Sequence, residues 1–362
     1  MVGKQIAIRL VALGWVIGAV LGCTGSDLTP TQRHGGELYM GMCSVCHGRA
    51  GEGYFADQAP AIGRPAFLGA ATDAFLREAI AHGRAGSTMS AWSTVHGGPL
   101  RANDIEAVIA FMRTWEQGKR VVLNETKLLG NAERGAKIYA SECVRCHGAR
   151  GQGGPNVRIG NPAFLASASN GFLRDAIRNG RPRTTMMGFR GKLGAAQLDD
   201  VVELLRSFAI VPATTSAPAA TPQAAQPPPP PLPLGPVPLN PKGPEPKGFL
   251  AFPKTTGADI VHAQLQLKAR MVLLDARAPS DYIADHITGA VSVPFYDPSP
   301  YLKALPKNTW LVCYCACPHA ESGMLAQKLL DRGFKKVTVL DEGLGVWKQR
   351  GYGTFGGTTP GP

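Results

Sequence analysis

Two short runs of the same form each place two thiols and an imidazole side by side: Cys43-Ser-Val-Cys46-His47 and Cys143-Val-Arg-Cys146-His147. A C-x-x-C-H run is the attachment signature of a c-type haem. Its thiols bond to the vinyl groups of the porphyrin, and its histidine ligates the iron from one side. The sequence therefore predicts two covalently bound haem c groups, held by Cys43, Cys46, His47, Cys143, Cys146 and His147.

A structural zinc site is the alternative chemistry for these runs, because zinc sites also use Cys-x-x-Cys pairs. Zinc would need a second pair of ligands at matching distance, and neither run has one. The other cysteines do not suggest a disulfide framework, although the total of eight is even. Outside the two runs they are Cys23 near the N-terminus and a close group, Cys313, Cys315 and Cys317.

Length and charge limit the number of domains and the kinds of partner. A chain of 362 residues is long enough for two or three domains. The formal net charge of +12 would usually favour an anionic partner, but the propionates of two haems would offset part of it. No run of Lys and Arg interleaved with aromatic residues is present, so nucleic acid is not an expected partner.

Residues 1–22 have the pattern of an export signal. Lys4 and Arg9 precede an apolar run that is shorter than the roughly 20 residues a membrane span needs, and Cys23 follows it directly. This ending resembles the bacterial lipoprotein signal, and the resemblance implies a lipid on Cys23 after cleavage, a short tether at 23–30 and a location on the periplasmic side. Thr24 in the next position favours the outer membrane. The alternative is an ordinary signal in which Cys23 is incidental.

Residues 31–211 contain an internal repeat of two copies. Apolar residues recur at helical spacing after each motif, from Ile105 to Met112 and from Val201 to Phe208. Two copies predict tandem domains, 31–118 and 130–211, since a stacked solenoid needs about three repeats or more. The matching segments are Gly35-x-x-x-Tyr39-x-x-x-Cys43 with Gly135-x-x-x-Tyr139-x-x-x-Cys143, Pro65–Leu68 with Pro162–Leu165, Phe75–Ile80 with Phe172–Ile177, and Gly83-Arg84 with Gly180-Arg181.

Each copy resembles a class I cytochrome c domain, an all-α fold whose first and last helices cross and trap the haem. A methionine further along each copy is the expected second axial ligand, because a thioether stabilises ferrous iron. Met89 fills this position in the first copy, and the matched position of the second copy is Met186, with Met187 as the alternative. His82 is disfavoured, because Asn179 stands at its matched position. Iron with six ligands would carry electrons rather than bind substrate.

Beyond the repeat the chain becomes a spacer and then an α/β domain. Residues 212–253 are rich in Pro and Ala and tend towards extended polyproline II. Over residues 254–356, short apolar runs alternate with a helical stretch, which favours a parallel sheet. The predicted strands are Met271–Asp275, Val291–Val293, Trp310–Tyr314 and Val337–Leu340, and the predicted helix is Ser322–Gly333.

This last domain resembles the rhodanese family in three segments: Asp275-Ala-Arg277, Asp281 to Ala290, and Leu340 to Trp347. In that family a cysteine ends the fourth strand beneath a loop that leads into a helix, and Cys315 stands in that place. A thiolate there is stabilised by backbone N–H groups and by the helix dipole. The resemblance implies that Cys315 takes sulfane sulfur as a persulfide and passes it to a nucleophile.

The loop after Cys315 departs from the family pattern. It is one residue longer, lacks the family's arginines and contains an acid and a proline, so a thiol-bound persulfide is a better expected donor than thiosulfate. Cys317 is an expected resolving partner for Cys315, although a Cys-x-Cys disulfide is strained. His319 either lowers the pKa of a thiol or is simply exposed. Cys313 lies inside a strand and is expected to be a core residue.

These features predict an exported, lipid-anchored di-haem cytochrome c fused to a rhodanese-like domain. In the sharper hypothesis, oxidation of a persulfide on Cys315 delivers electrons to the haems. In the plainer hypothesis, sulfurtransferase chemistry and electron transport are separate activities joined by a linker. A third possibility is a rhodanese-like domain that only binds or senses redox state. Expected partners are another redox protein, a sulfane-sulfur donor or thiol, and a membrane reached through the lipid.

Overall fold

The structure, a computed structural model, describes residues 28–54, 59–153, 156–209, 237–316 and 319–361. The predicted export segment with Cys23, most of the Pro-rich spacer, and Cys317 lie outside these residues. Within the described ranges, no helix has both the length and the apolar character that crossing a membrane requires.

The two N-terminal copies are helical, which confirms the predicted fold class. A π-helical turn, Tyr39–Cys43, leads into the first motif, whereas the matching helix of the second copy ends at Glu142. In the first copy the helices are α1 (Pro30–Leu38), α2 (Ser44–His47), α3 (Pro65–Leu68), α4 (Asp73–His82) and α5 (Ala102–Met112). In the second copy they are α6 (Ala132–Glu142), α7 (Val144–His147), α8 (Pro162–Ser167), α9 (Asn170–Asn179) and α10 (Ala195–Phe208).

In each copy the first helix packs across the last one, α1 on α5 and α6 on α10. Glycine permits the close approach. A Cβ on Gly35 would lie 1.8 Å from the backbone oxygen of Ala107, and a Cβ on Gly135 would lie 2.1 Å from that of Asp200. The repeated glycine is therefore a packing requirement of the helix crossing.

The repeated tyrosine ties each motif to the helix before it. The Tyr39 hydroxyl donates to the backbone oxygen of Gly48 at 2.8 Å, and the Tyr139 hydroxyl donates to that of Gly148 at 2.9 Å. Both rings are buried. Because the accepting glycine directly follows the C-x-x-C-H run, the spacing of tyrosine and motif is fixed by this contact.

We expect Gly35→Ala to lower the free energy of unfolding of the first copy by about 1–3 kcal/mol, because its methyl group would enter the backbone of α5. Urea unfolding followed by circular dichroism measures the effect. Gly41→Ala is the matched control, since a Cβ there meets no atom within 4 Å. Equal stability of the two variants would show that the helices do not approach as closely as described.

Matched phenylalanines join the two copies. Phe75 and Phe172 stack with ring centroids 4.9 Å apart. Phe67 contacts Phe172, and Phe164 contacts Phe75, with centroids 6.1 Å apart in both pairs. Because matched residues make matched contacts, the copies pair as the halves of a symmetrical dimer do.

The third domain is α/β. Its strands are β1 (Thr255–Thr256), β2 (Met271–Asp275), β3 (His286–Ile287), β4 (Val291–Ser292), β5 (Trp310–Tyr314), β6 (Val337–Leu340) and β7 (Thr354–Phe355). Its helices are α11 (Ala258–Gln266), α12 (Pro279–Ala284), α13 (Ala320–Asp331) and α14 (Gly343–Gln349). A parallel sheet has the order β1-β6-β5-β2-β4, and β3 and β7 form a separate antiparallel pair.

Several bounds differ from the sequence-based expectation: β4 ends at Ser292 rather than Val293, and α13 ends at Asp331 rather than Gly333. Helix α13 begins at Ala320 rather than Ser322, because the residue before it, His319, takes a left-handed conformation that ends the loop early. The C-terminal part of the predicted spacer packs against the third domain. The amide of Arg270 donates to Pro244 and that of Phe252 donates to Val337, so chain before residue 254 already belongs to this packing unit.

Candidate functional site

The histidine of each C-x-x-C-H run is buried and oriented. His47 Nδ1 lies 3.0 Å from the backbone oxygen of Pro60, and His147 Nδ1 lies 3.1 Å from that of Val157. A carbonyl only accepts, so Nδ1 carries the proton and Nε2 keeps the lone pair that a metal needs. Burial lowers the pKa of both imidazoles, which favours this neutral form.

Met89 and Met186 occupy the same place in matching loops. The backbone oxygen of Met89 accepts from the amide of Arg84 at 2.9 Å, and that of Met186 accepts from the amide of Arg181 at 2.8 Å. Both methionine side chains are partly buried, whereas Met187 is 62% exposed. The loop geometry therefore makes Met186 the equivalent of Met89.

Buried guanidinium groups in both copies point to an anionic partner. Among the described residues, Nε of Arg64 and Nη2 of Arg181 are buried without a hydrogen-bond partner. Burial lowers the pKa of Arg181 and lowers that of its match, Arg84, to about 10. Arg181 Nη1 pairs with Asp175 Oδ2 at 2.9 Å, but Arg181 Nη2 and Arg64 Nε remain buried donors without an acceptor, which is costly. The carboxylates of haem propionates are acceptors of this kind, so the residues present fit haem c.

Cys315 lies directly after Tyr314 at the end of β5 and is completely buried. Its Sγ is 3.3 Å from Ser322 Oγ in the first turn of α13, and its backbone oxygen accepts from the amide of Leu344 at 2.9 Å. The sulfur therefore faces a helix N-terminus, whose dipole favours negative charge. Cys313 is buried inside β5, where burial raises the pKa of its thiol, as suits a core residue.

His319 and Glu321, at the start of α13, have different surroundings. Glu321 is 5% exposed, and burial, followed by the neighbouring Cys315, raises its pKa well above the usual range. His319 is half-exposed, and its Nε2 lies 2.9 Å from Asp341 Oδ1. Glu321 is thus the acid that the structure brings to Cys315, whereas His319 contacts a carboxylate beyond β6. Cys317 lies outside the described residues.

Asp275 and Arg277 form a buried ion pair at the end of β2. Arg277 Nε donates to Asp275 Oδ1 at 2.9 Å, and Arg277 Nη2 donates to Oδ2 at 2.6 Å. The Tyr314 hydroxyl donates to the same carboxylate at 2.8 Å. His286 stacks on Tyr282 with centroids 3.7 Å apart, and its Nδ1 lies 2.7 Å from the Tyr282 backbone oxygen. These groups support the ends of β2 and β5.

The sulfur site lies against the first cytochrome copy. Cys46, in the first C-x-x-C-H run, packs on Cys315, and α13 contacts α2. The contact joins residues more than 250 positions apart, and no local pattern predicts it. The structure therefore brings the attachment cysteine of one predicted site and the reactive cysteine of the other together.

Helical domains around C-x-x-C-H runs, followed by a parallel sheet with a cysteine at a strand end, define a fusion of cytochrome c domains with a rhodanese-like domain. The family described as Cytochrome C oxidase, cbb3-type, subunit III matches residues 30–112 and 130–205, and the Rhodanese-like domain family matches residues 258–350. The chain belongs to the rhodanese-like family through its last domain. Its helical region consists of cytochrome c domains, which imply binding of haem c.

Individual relatives cover parts of the chain. An uncharacterized protein of Synechocystis sp. is 36% identical over 93 residues, which are 25% of this chain and 50% of that protein. Thiosulfate sulfurtransferase GlpE of Pseudomonas fluorescens is 32% identical over 88 residues, which are 24% of this chain and 79% of that enzyme. A solved rhodanese-like domain from Anabaena sp. is 30% identical and covers 28% of this chain and 78% of that chain, with a TM-score of 0.26. The chain thus spans only half the length of the Synechocystis relative.

Sequence reasoning missed the arginines near the predicted haem sites and the serine beside Cys315. A signal existed for Arg84 and Arg181, because each follows the matched glycine of the repeat. No signal existed for Ser322, since its contact with Cys315 depends on how α13 turns back over β5.

Proposed function

We propose that the chain is an exported di-haem c-type cytochrome that carries electrons, and that its rhodanese-like domain handles sulfane sulfur as a persulfide on Cys315. The observation that carries the proposal is the place of Cys315, at a strand end before the N-terminus of α13 and in contact with Cys46. The name of the GlpE relative supports the sulfur-transfer class.

In this proposal Cys43, Cys46, Cys143 and Cys146 would hold the haem groups covalently, and His47, Met89, His147 and Met186 would be the iron ligands. Bound haem c supplies a couple that exchanges one electron per iron. The protein's part is to fix the imidazole tautomers and to provide cationic arginines for the propionates.

The proposed sulfur transfer needs no oxidant. The Cys315 thiolate attacks the outer sulfur of a donor R–S–S–H, one S–S bond forms as the donor's S–S bond breaks, and R–S⁻ leaves. Glu321 holds a proton beside Cys315, because burial and the neighbouring sulfur raise its pKa, and it is placed to protonate the leaving thiolate. Cyanide or another thiol then accepts the outer sulfur.

The proposed redox step oxidises the persulfide. Cys315–S–S⁻ and a second thiolate form one S–S bond and give up two electrons, and the product is a trisulfide. Cys317 is the proposed second thiolate, on the strength of its spacing in the sequence. The cytochrome copies take up the electrons, and an oxidised redox protein is the final acceptor.

Location is part of the proposal. The charged start, the short apolar run and Cys23 support cleavage and lipid attachment at Cys23, on the periplasmic side of a bacterial membrane and favouring the outer one. Fractionation of cells that express Cys23→Ser tests the anchor, which predicts that the variant leaves the membrane fraction.

A non-catalytic binding or redox-sensing module is the second candidate function. It is favoured by the complete burial of Cys315, which keeps donors away from the sulfur in the arrangement described. A sensing cysteine would change oxidation state without turnover, so the two candidates differ in whether sulfur is passed on repeatedly.

We expect Cys315→Ser to abolish both transfer of sulfur from a low-molecular-weight persulfide to cyanide and anaerobic reduction of the ferric protein by that persulfide. Thiocyanate formation and the α-band measure the two reactions. Cys313→Ala is the matched control, because that thiol is confined to the core of β5. Equal α-band rates in native and Cys315→Ser protein would mean that the donor reduces haem directly. Absence of thiocyanate from native protein would favour the binding or sensing module.

A further inference from the structure

We propose that the first cytochrome copy is the docking partner of the sulfur site and its direct electron acceptor, and that sulfur is loaded on Cys315 only when this contact opens. The inference rests on the proposed function for the electron transfer and on geometry alone for the docking. It gives the two cytochrome copies different roles, although their motifs alone do not distinguish them.

The docking face is formed by α2 and the loop Ser90–Gly97 of the first copy. Ser90 Oγ donates to Asp281 Oδ2 at 2.6 Å, and Ser280 Oγ donates to the backbone oxygen of Ala91 at 2.8 Å. These two bonds anchor the start of α12 to the loop that follows Met89. Because both bonds join the same two segments, they fix the point at which the two domains meet.

Apolar contacts extend the same face. The rings of Trp92 and Tyr296 lie with centroids 5.8 Å apart, and Trp92 is 5% exposed. A Cβ on Gly97 would lie 3.1 Å from Ile283 Cδ1 and 3.6 Å from Ser280 Cα, so α12 packs closely on the loop there. Cys46 and Cys315 pack together on this side of α12 and α13. The sulfur site is therefore held against the attachment point of the first motif.

The internal repeat supplies a comparison. Ser90 of the first copy is matched by Met187 of the second, one residue after each predicted methionine ligand. Ser90 is 2% exposed under the rhodanese-like domain, whereas Met187 is 62% exposed. This position is thus covered in the first copy and open in the second, and Cys315 packs against the motif of the first copy.

Burial of Cys315 gives the contact a second role. The side chain is 0% exposed, so a donor molecule has no access to its sulfur in the docked arrangement. Interfaces between domains of one chain commonly open, and the Pro-rich spacer predicted from the sequence gives the domain reach when it separates. Loading of sulfur and delivery of its two electrons then alternate between open and docked arrangements.

The test uses the full-length holoprotein with Ser280→Lys and Ile283→Lys together. Both side chains lie on the docking face and outside the core of the sheet, so the domain itself should fold. Two lysines would be forced into dry contact with the first copy, which disfavours docking. Gln266→Lys with Leu267→Lys is the matched control, because it adds the same charge on exposed positions of the same domain.

The first readout is alkylation of Cys315 by iodoacetamide, located by peptide mass spectrometry. We expect the docking variant to react at least about tenfold faster than native protein, and the control to react at the native rate; a tenfold change corresponds to about 1.4 kcal/mol of docking free energy. An unchanged alkylation rate would overturn the docking, whether or not sulfur transfer occurs.

The second readout is anaerobic haem reduction by the persulfide. We expect it to fall at least about tenfold in the docking variant while thiocyanate formation persists or rises, because loading no longer waits for the interface to open. Loss of thiocyanate formation in native protein would defeat the proposed function and leave the alkylation result to decide the docking. Unchanged haem reduction in the docking variant would overturn the assignment of the first copy as acceptor.

A third comparison identifies the accepting copy. Persulfide-driven reduction is expected to fall much further in Cys43→Ala/Cys46→Ala protein, which leaves attachment only in the second copy, than in Cys143→Ala/Cys146→Ala protein. The reverse order would make the second copy the direct acceptor and overturn the inference.

Discussion

Replacement of Cys143 and Cys146 together by alanine should lower covalently bound haem from two groups per chain to one. The variant lacks both proposed thioether bonds of the second copy, and His147 alone would not retain haem through denaturation. Intact-mass measurement and the pyridine haemochrome spectrum of the denatured, washed protein count the attached groups. The expected change is all or none, because the bonds removed are covalent.

Cys313→Ala is the control for a missing thiol, since it removes a buried cysteine from another domain. It should leave both haem groups in place. If the double variant keeps its native haem content, the second run is not an attachment site. Zinc found in the native protein in place of iron would restore the alternative that the C-x-x-C pairs allow.

Arg277→Ala should lower the local stability of the rhodanese-like domain by about 3–5 kcal/mol, because it leaves a buried carboxylate without its counter-ion. Asp275 is 0% exposed and accepts two hydrogen bonds of the guanidinium fork, at 2.9 and 2.6 Å. Hydrogen-exchange mass spectrometry of β2 and β5 reports this loss as faster exchange, and it separates this domain from the cytochrome copies.

Arg270→Ala is the matched control for the loss of an arginine–carboxylate pair. Arg270 pairs with Glu245 at the surface, where both side chains are about 40% exposed, so the expected cost is about 0–1 kcal/mol. A second variant, Asp275→Asn with Arg277→Met, should recover part of the stability because no charge remains buried. Exchange in Arg277→Ala as slow as in Arg270→Ala would show that the pair does not support the sheet.

The pattern of apolar residues along the sequence predicted the elements whose formation depends mainly on burial. Strands β2, β5 and β6 have the predicted bounds, because apolar runs that are buried on both faces of a parallel sheet stand out from their surroundings. The repeat likewise predicted two helical domains, and the resemblance to class I cytochrome c implied that their terminal helices cross. By contrast, β1, β3 and β7 are two residues long and owe their existence to partners far along the chain.

The parts of the site that sequence did not reveal are those that depend on distant contacts. Nothing local to Ser280 or Asp281 indicates that they meet Ala91 and Ser90, since these hydrogen bonds link positions about 190 residues apart. The burial of Glu321 depends on the return of α13 over β5. Pattern identifies which residues have the chemistry, and tertiary packing decides which of them meet.

The stacked pair Phe75 and Phe172 has a consequence for how this molecule can change over generations. In a dimer of identical chains, every substitution appears on both sides of the interface at once. Here both halves belong to one chain, so a substitution in one copy leaves the matched position of the other copy unchanged. Ser90 and Met187 illustrate the result: matched places, one sealed beneath a third domain and the other open to solvent. Covalent duplication thus frees a symmetrical pair to become unequal without losing the contact that holds it together.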